Sequence, residues 1–145
     1  MSEPDMLVVV DASVWVSRLV LKDVFHSLVK VWMQNQRDQG VTFLSPALLL
    51  PEVAGAISRR TGDAKLAKQA LDNLQSLTGL RLVQMDQPIV QDASRLAASL
   101  GLRGADSVYV AVAARLNLSL ATLDADQHER AASVITVHFL ESDAQ

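Results

Sequence analysis

Four acidic residues stand where apolar runs stop or helices begin. Asp11 follows Leu7-Val8-Val9-Val10, Glu52 follows Leu48-Leu49-Leu50-Pro51, Asp106 sits in Arg103-Gly104-Ala105-Asp106-Ser107, and Asp124 follows the run Leu118 to Leu123. Two carboxylates about 4 Å apart repel by roughly 4 kcal/mol at an effective dielectric near 20. If the fold gathers all four, a cation belongs between them. Singly, each has an ordinary explanation. Asp11 and Asp106 can cap the helices they precede, and Asp124, with Asp126 two residues on, can form a turn. Glu52 lies between three leucines and Val53-Ala54-Gly55-Ala56-Ile57, so its structural alternative is a buried ion pair with Arg59 or Arg60. Four separate explanations must hold together if the acids are unrelated, whereas one cation site covers them all.

The elements that must position these acids alternate in type. Runs rich in Val, Leu and Ile predict strands at Met6–Val10, Val41–Leu44, Arg81–Met85, Leu118–Thr122 and Val134–Val137. The first is nearly all apolar, as in a sheet covered on both faces. Helices are expected over Ser13–Lys22, over Asp23–Gln39 with Asp23 as cap and Gly40 as stop, and after a Ser45-Pro46 cap, with Pro51 kinking or restarting that helix. Further helices are expected over Asp63–Leu77, from an Asp86 cap to Leu100, over Asp106–Leu116, and over Ala125–Ala132. This alternation predicts an α/β three-layer sandwich with a mainly parallel central sheet and helices on both faces. Sites in such sheets lie beyond the carboxyl ends of the strands, where Asp11 and Asp124 fall.

Composition narrows the chemistry. A chain of 145 residues fits one domain, taken here as residues 1–145, and at this size buries roughly 68–70% of its unfolded surface. It has no cysteine, which excludes thiolate metal sites and cysteine nucleophiles and suits the cytoplasm. Its apolar runs are far shorter than the roughly 18–20 residues a membrane span needs. The start, Met1-Ser2-Glu3-Pro4-Asp5, lacks the basic residues of a secretory signal. Net charge is −3, so any nucleic-acid contact must be a local patch. His26, His128 and His138 are scattered, and no Gly-x-Ser-x-Gly elbow, phosphate loop or Gly-x-Gly-x-x-Gly run occurs. A haloacid-dehalogenase-type phosphatase needs an Asp two residues after Asp11, where Ser13 stands.

Taken in order, Val8-Val9-Val10-Asp11-Ala12-Ser13-Val14-Trp15, Leu44-Ser45-Pro46 with Pro51-Glu52-Val53-Ala54, Ala105 to Ala113 around Asp106, and Ala121-Thr122-Leu123-Asp124 resemble the successive motifs of a PIN domain. The resemblance is to the VapC-type toxin ribonucleases and spans nearly the whole chain. It implies that Asp11, Glu52, Asp106 and Asp124 form an acidic pocket for Mg²⁺ or Mn²⁺, with Asp11 and Asp106 as principal ligands. Ser13 and Thr122 match positions whose hydroxyls support the pocket, and Asp126 adds an acid near its rim. The family often has asparagine three residues after the glutamate; here that residue is Gly55.

The resemblance further implies metal-dependent hydrolysis of RNA phosphodiester bonds, a homodimer, and a cognate VapB-like antitoxin. A catalytically degenerate PIN module that binds RNA or protein is the alternative. Mg²⁺ takes oxygen ligands and keeps waters and phosphate oxygens in its shell. Without metal, the crowded carboxylates are expected to raise one another's pKa values. Arg103, and with it Arg18, Arg59 and Arg60, are candidates to hold the RNA backbone, against the reading that they are solvated helix faces. Trp15, Trp32, Phe25 and Tyr109 fit a core better than base stacking.

Overall fold

Val8, Val9 and Val10 are successive residues of one strand and so point to alternate faces, yet all three are buried, which requires a layer on each side. In the computed structural model, which describes residues 6–141, this strand is β1 (Met6–Val10), the centre of a five-stranded sheet. The others are β2 (Val41–Pro46), β3 (Leu80–Val83), β4 (Leu120–Thr122) and β5 (Val137–Phe139). Their spatial order is β3-β2-β1-β4-β5 and every pairing is parallel. Seven helices make the connections: α1 (Ala12–Leu19), α2 (His26–Asp38), α3 (Leu49–Thr61), α4 (Ala64–Ser76), α5 (Gln87–Leu100), α6 (Gly104–Leu116) and α7 (Ala125–Ala131). The expected parallel α/β architecture is therefore present.

The order of strands locates the site. The chain steps outward from β1 to β2 to β3, then crosses back to lay β4 on the other side of β1. Between β1 and β4 the topology reverses, and a crevice opens beyond the carboxyl ends of such strands. α6 packs against β1, β2 and β4 beneath this point. Residues Ser107 to Ala113 of α6 are all buried, the pattern of a helix surrounded by core rather than laid on a surface.

Several boundaries differ from those the sequence suggests. Ser45 and Pro46 belong to the end of β2 and cap nothing. The buried Ser45 hydroxyl donates to the Val10 carbonyl at 2.6 Å and accepts from Trp15 Nε1 at 3.1 Å, stitching β2 to β1 and α1. Pro51 lies in the first turn of α3, where a missing N–H breaks no intrahelical bond, so the helix begins at Leu49 and continues through Glu52 without a restart. Asp23 does not begin α2, which starts at His26 without a side-chain cap. β5 begins at Val137 rather than Val134, because the N–H groups of Val134 and Ile135 both fold back on the Ala131 carbonyl as α7 ends. Asn117, in the left-handed conformation at φ 56°, ends α6 and delays β4 to Leu120.

Candidate active site

Each of the four acids is set by a local rule. Asp11 ends β1 and caps α1, its Oδ2 accepting from the Ser13 N–H at 3.0 Å. Asp124 ends the turn after β4 and caps α7, accepting from the Gln127 N–H at 3.1 Å. Glu52 and Asp106 lie in the first turns of α3 and α6, where a helix N-terminus favours negative charge. Two acids thus follow the strands flanking the reversal, and two stand in the first turns of α3 and α6.

Asp106 is within electrostatic reach of the other three acids, and Asp11 is within reach of Glu52 and Asp124. Burial pushes the Asp106 carboxyl up to about 7, and the charges of Asp11, Asp124 and Glu52 push the same way, with Arg103 opposing. Asp11 is 4% exposed, and burial raises its pKa against the hydrogen bonds from Ser13 and Gln127, with Asp124 repulsion adding to the rise. Glu52 is raised by burial, opposed by the Tyr109 hydroxyl, with the Asp11 charge adding to it. Within the described residues Asp106 Oδ2 is buried and has no hydrogen-bond partner. An orphaned carboxylate oxygen of this kind is costly unless something else satisfies it.

Protein donors hold the other carboxylates. The Tyr109 hydroxyl donates to Glu52 Oε1 at 2.7 Å. Gln127 Nε2 donates to Asp11 Oδ1 at 3.2 Å, and Thr122 Oγ1 lies 3.4 Å from Asp11 Oδ2. Ser13 Oγ accepts from the Leu123 N–H at 3.1 Å, and Thr122 Oγ1 accepts from the Asp124 N–H at 3.0 Å, so both hydroxyls shape the turn that carries Asp124. Among the described residues no three acidic or histidine side chains already converge as a ready ligand set. The acids share one field without sharing one coordination point.

The remaining candidates separate clearly. Asp126 pairs with Arg130 at 2.8 Å on an exposed face. A cavity of about 470 Å³ beside the acids is walled by Ser13, Glu52, Arg59 and Arg60. Arg60 is engaged there by Asp23 at 2.6 Å, while the Arg59 guanidinium lies 3.1 Å from the place a Gly55 side chain would start. Arg103 is the exposed residue that precedes α6. Arg18 lines a different, larger cavity of about 650 Å³ with Lys30 and Arg37. Two contacts escaped the sequence. Tyr109 sits in the core as expected but spends its hydroxyl on Glu52, and Gln127, fully buried, reaches Asp11.

Residues 8–133 match the PIN domain family, and the chain belongs to that family. Its fold is similar to that of VapC20 from Mycobacterium tuberculosis, a sarcin-ricin loop cleaving toxin, with a TM-score of 0.75 and 19% identity over 90% of this chain and 98% of that one. It is also similar to VapBC2 from Rickettsia felis, bound to a DNA fragment from its promoter (TM-score 0.71, 13% identity, 92% and 98% covered). A third likeness is to FitAcB from Neisseria gonorrhoeae (TM-score 0.69, 18% identity, 92% and 98% covered). At these identities the shared property is the fold. No curated protein matches the sequence at a significant level.

Proposed function

We propose that this protein is a Mg²⁺- or Mn²⁺-dependent endoribonuclease, the toxin of a toxin–antitoxin pair, acting in the cytoplasm as one PIN-like unit. The observation that carries the reading is Asp106, a half-buried residue with a buried carboxylate oxygen that has no partner among the described residues, and with three other acids raising its pKa. The residues fit the ion, since every donor is a carboxylate or hydroxyl oxygen, the ligand type of hard divalent cations. When bound, the ion neutralises the phosphate and lowers the pKa of a water for in-line attack.

Asp11 and Asp106 are the principal ligands, and Glu52 and Asp124 complete the shell directly or through water. Tyr109 fixes Glu52, and Ser13 and Thr122 brace the turn before Asp124. The cavity beside Ser13 and Glu52 receives the RNA backbone, with Arg59 on its wall and Arg103 at the start of α6 as phosphate donors. Arg60, already paired with Asp23, and Arg18, on the other cavity, contribute less. A VapB-like antitoxin and a second copy of the chain are the partners. The likeness to VapBC2, a complex solved on DNA, supports the first.

A PIN module that binds RNA or protein without cutting is the second reading, favoured by the lack of a ready ligand set among the described residues. Incubating RNA with wild type, Asp11→Asn and Asp106→Asn in Mg²⁺ or Mn²⁺ separates the two. Cleavage by wild type is expected to fall at least about a hundredfold in each variant, roughly 2.7 kcal/mol of barrier. Equal cleavage by all three sinks the assigned site, and RNA binding without cleavage by wild type selects the second reading.

A further inference from the structure

A glutamine amide has two N–H donors and a carbonyl acceptor, and burying it demands partners for each. Gln127 is 0% exposed, and all of these groups are engaged. Nε2 donates to Asp11 Oδ1 at 3.2 Å and to the Asp106 main-chain carbonyl at 3.4 Å. Oε1 accepts from Thr122 Oγ1 at 2.7 Å, and the Gln127 main-chain N–H donates to Asp124 Oδ1 at 3.1 Å. One residue of α7 therefore touches three of the four acids.

Its orientation is fixed from behind. Thr122 Oγ1 accepts from the Asp124 N–H, so its single proton is free to go to Gln127 Oε1, the shortest of its three side-chain oxygen contacts. With the carbonyl end held, the amide nitrogen must face Asp11 and Asp106. A carboxylate at this position would replace both donors with acceptors and add a fifth negative charge. An apolar side chain would leave Asp11 Oδ1 and the Asp106 carbonyl without this donor in a buried place.

We propose that Gln127 is the positioning residue of the acidic pocket, a neutral amide that aims the Asp11 carboxylate and ties α7 to the first turn of α6 so that the acids present one arrangement to a divalent cation. The inference rests on the metal-dependent reading above. Residues that orient metal ligands in this way typically govern affinity by 10–100-fold.

The test is calorimetric titration of Mn²⁺ into full-length, chelator-treated wild type, Gln127→Met and Gln127→Asn, with urea unfolding of each alongside. Gln127→Met is expected to bind Mn²⁺ about 10–100-fold more weakly while folded, with Gln127→Asn between it and wild type because the amide survives on a shorter arm. In RNA cleavage the loss should fall on kcat, with KM for RNA nearly unchanged. A Gln127→Met protein that unfolds more readily but binds Mn²⁺ as tightly as wild type makes Gln127 a packing residue and overturns the proposal. Should that variant not fold, Gln127→Asn carries the same comparison. Wild type that binds no Mn²⁺ removes the metal reading and this inference together, whereas tight binding by wild type and variants alike removes the inference alone.

Discussion

Asp23 and Asp106 are two aspartates of the same fold with opposite surroundings. Asp23 has an 8% exposed side chain and joins the turn after α1 to the last turn of α3. It receives Arg60 at 2.6 Å, the Ser17 hydroxyl at 2.8 Å and the Phe25 N–H at 2.8 Å. Burial pushes its pKa up, yet the hydrogen bonds from Arg60, Phe25 and Ser17 and the Arg60 charge outweigh burial and hold it below the usual carboxylate range. Among the described residues Asp106 has an oxygen with no partner and three acids acting on it, and its pKa is driven up to about 7. Among the described residues Asp23 is paired with a cation, whereas Asp106 has no ion pair and only the charge of Arg103 to oppose its three acidic neighbours. Charge neutralised from within is structure, and charge left largely uncompensated is where the proposed ion would act.

The comparison breaks or sharpens under substitution. Asp23→Ala removes three hydrogen bonds and orphans Arg60, and is expected to destabilise the protein by about 2 kcal/mol in urea unfolding. Asp106→Asn should act in the reverse direction on metal-free protein, raising stability by about 1 kcal/mol, or roughly 3 °C in Tm, because it deletes a repelled, half-buried charge. Loss of stability in Asp106→Asn would show that its charge is already compensated within the protein.

A related effect appears with pH. The raised Asp106 binds a proton more tightly folded than unfolded, so metal-free stability should fall as pH rises from about 4 to about 7. Asp23, with its lowered pKa, contributes stability above its ordinary value of 3.8 that is lost as pH falls through the folded value. Urea midpoints at pH 4.5, 6 and 7.5 should therefore show a decline toward neutrality that is shallower in Asp106→Asn. Asp11 and Glu52, also raised, keep some decline in that variant. Parallel curves for the two proteins would contradict the assigned pKa.

What was legible in the sequence was what local rules govern. Asp11 and Asp124 end strands and cap helices, and their positions followed from the apolar runs before them. The alternation of strand and helix revealed the parallel sheet. Gln127 was invisible because the partners of its amide nitrogen lie 116 and 21 residues away and an isolated glutamine reads as surface. Asp23 looked like a helix cap because the pull of Arg60, 37 residues on, leaves no mark beside it. Ser45-Pro46 carried a cap signature that the pairing of Pro46 with Val83 overrode. In each case tertiary hydrogen bonding decided between local alternatives of similar energy.

The central claim is that the acids around Asp106 await a divalent cation, and the melting temperature of metal-free protein during Mn²⁺ addition tests it most directly. At a hundredfold excess over Kd, binding should stabilise wild type by about 2.7 kcal/mol, near 8 °C for a chain of this size, with most of that gain lost in Asp106→Asn. A wild-type Tm that stays flat up to millimolar Mn²⁺, or an equal rise in Asp106→Asn, would contradict the account.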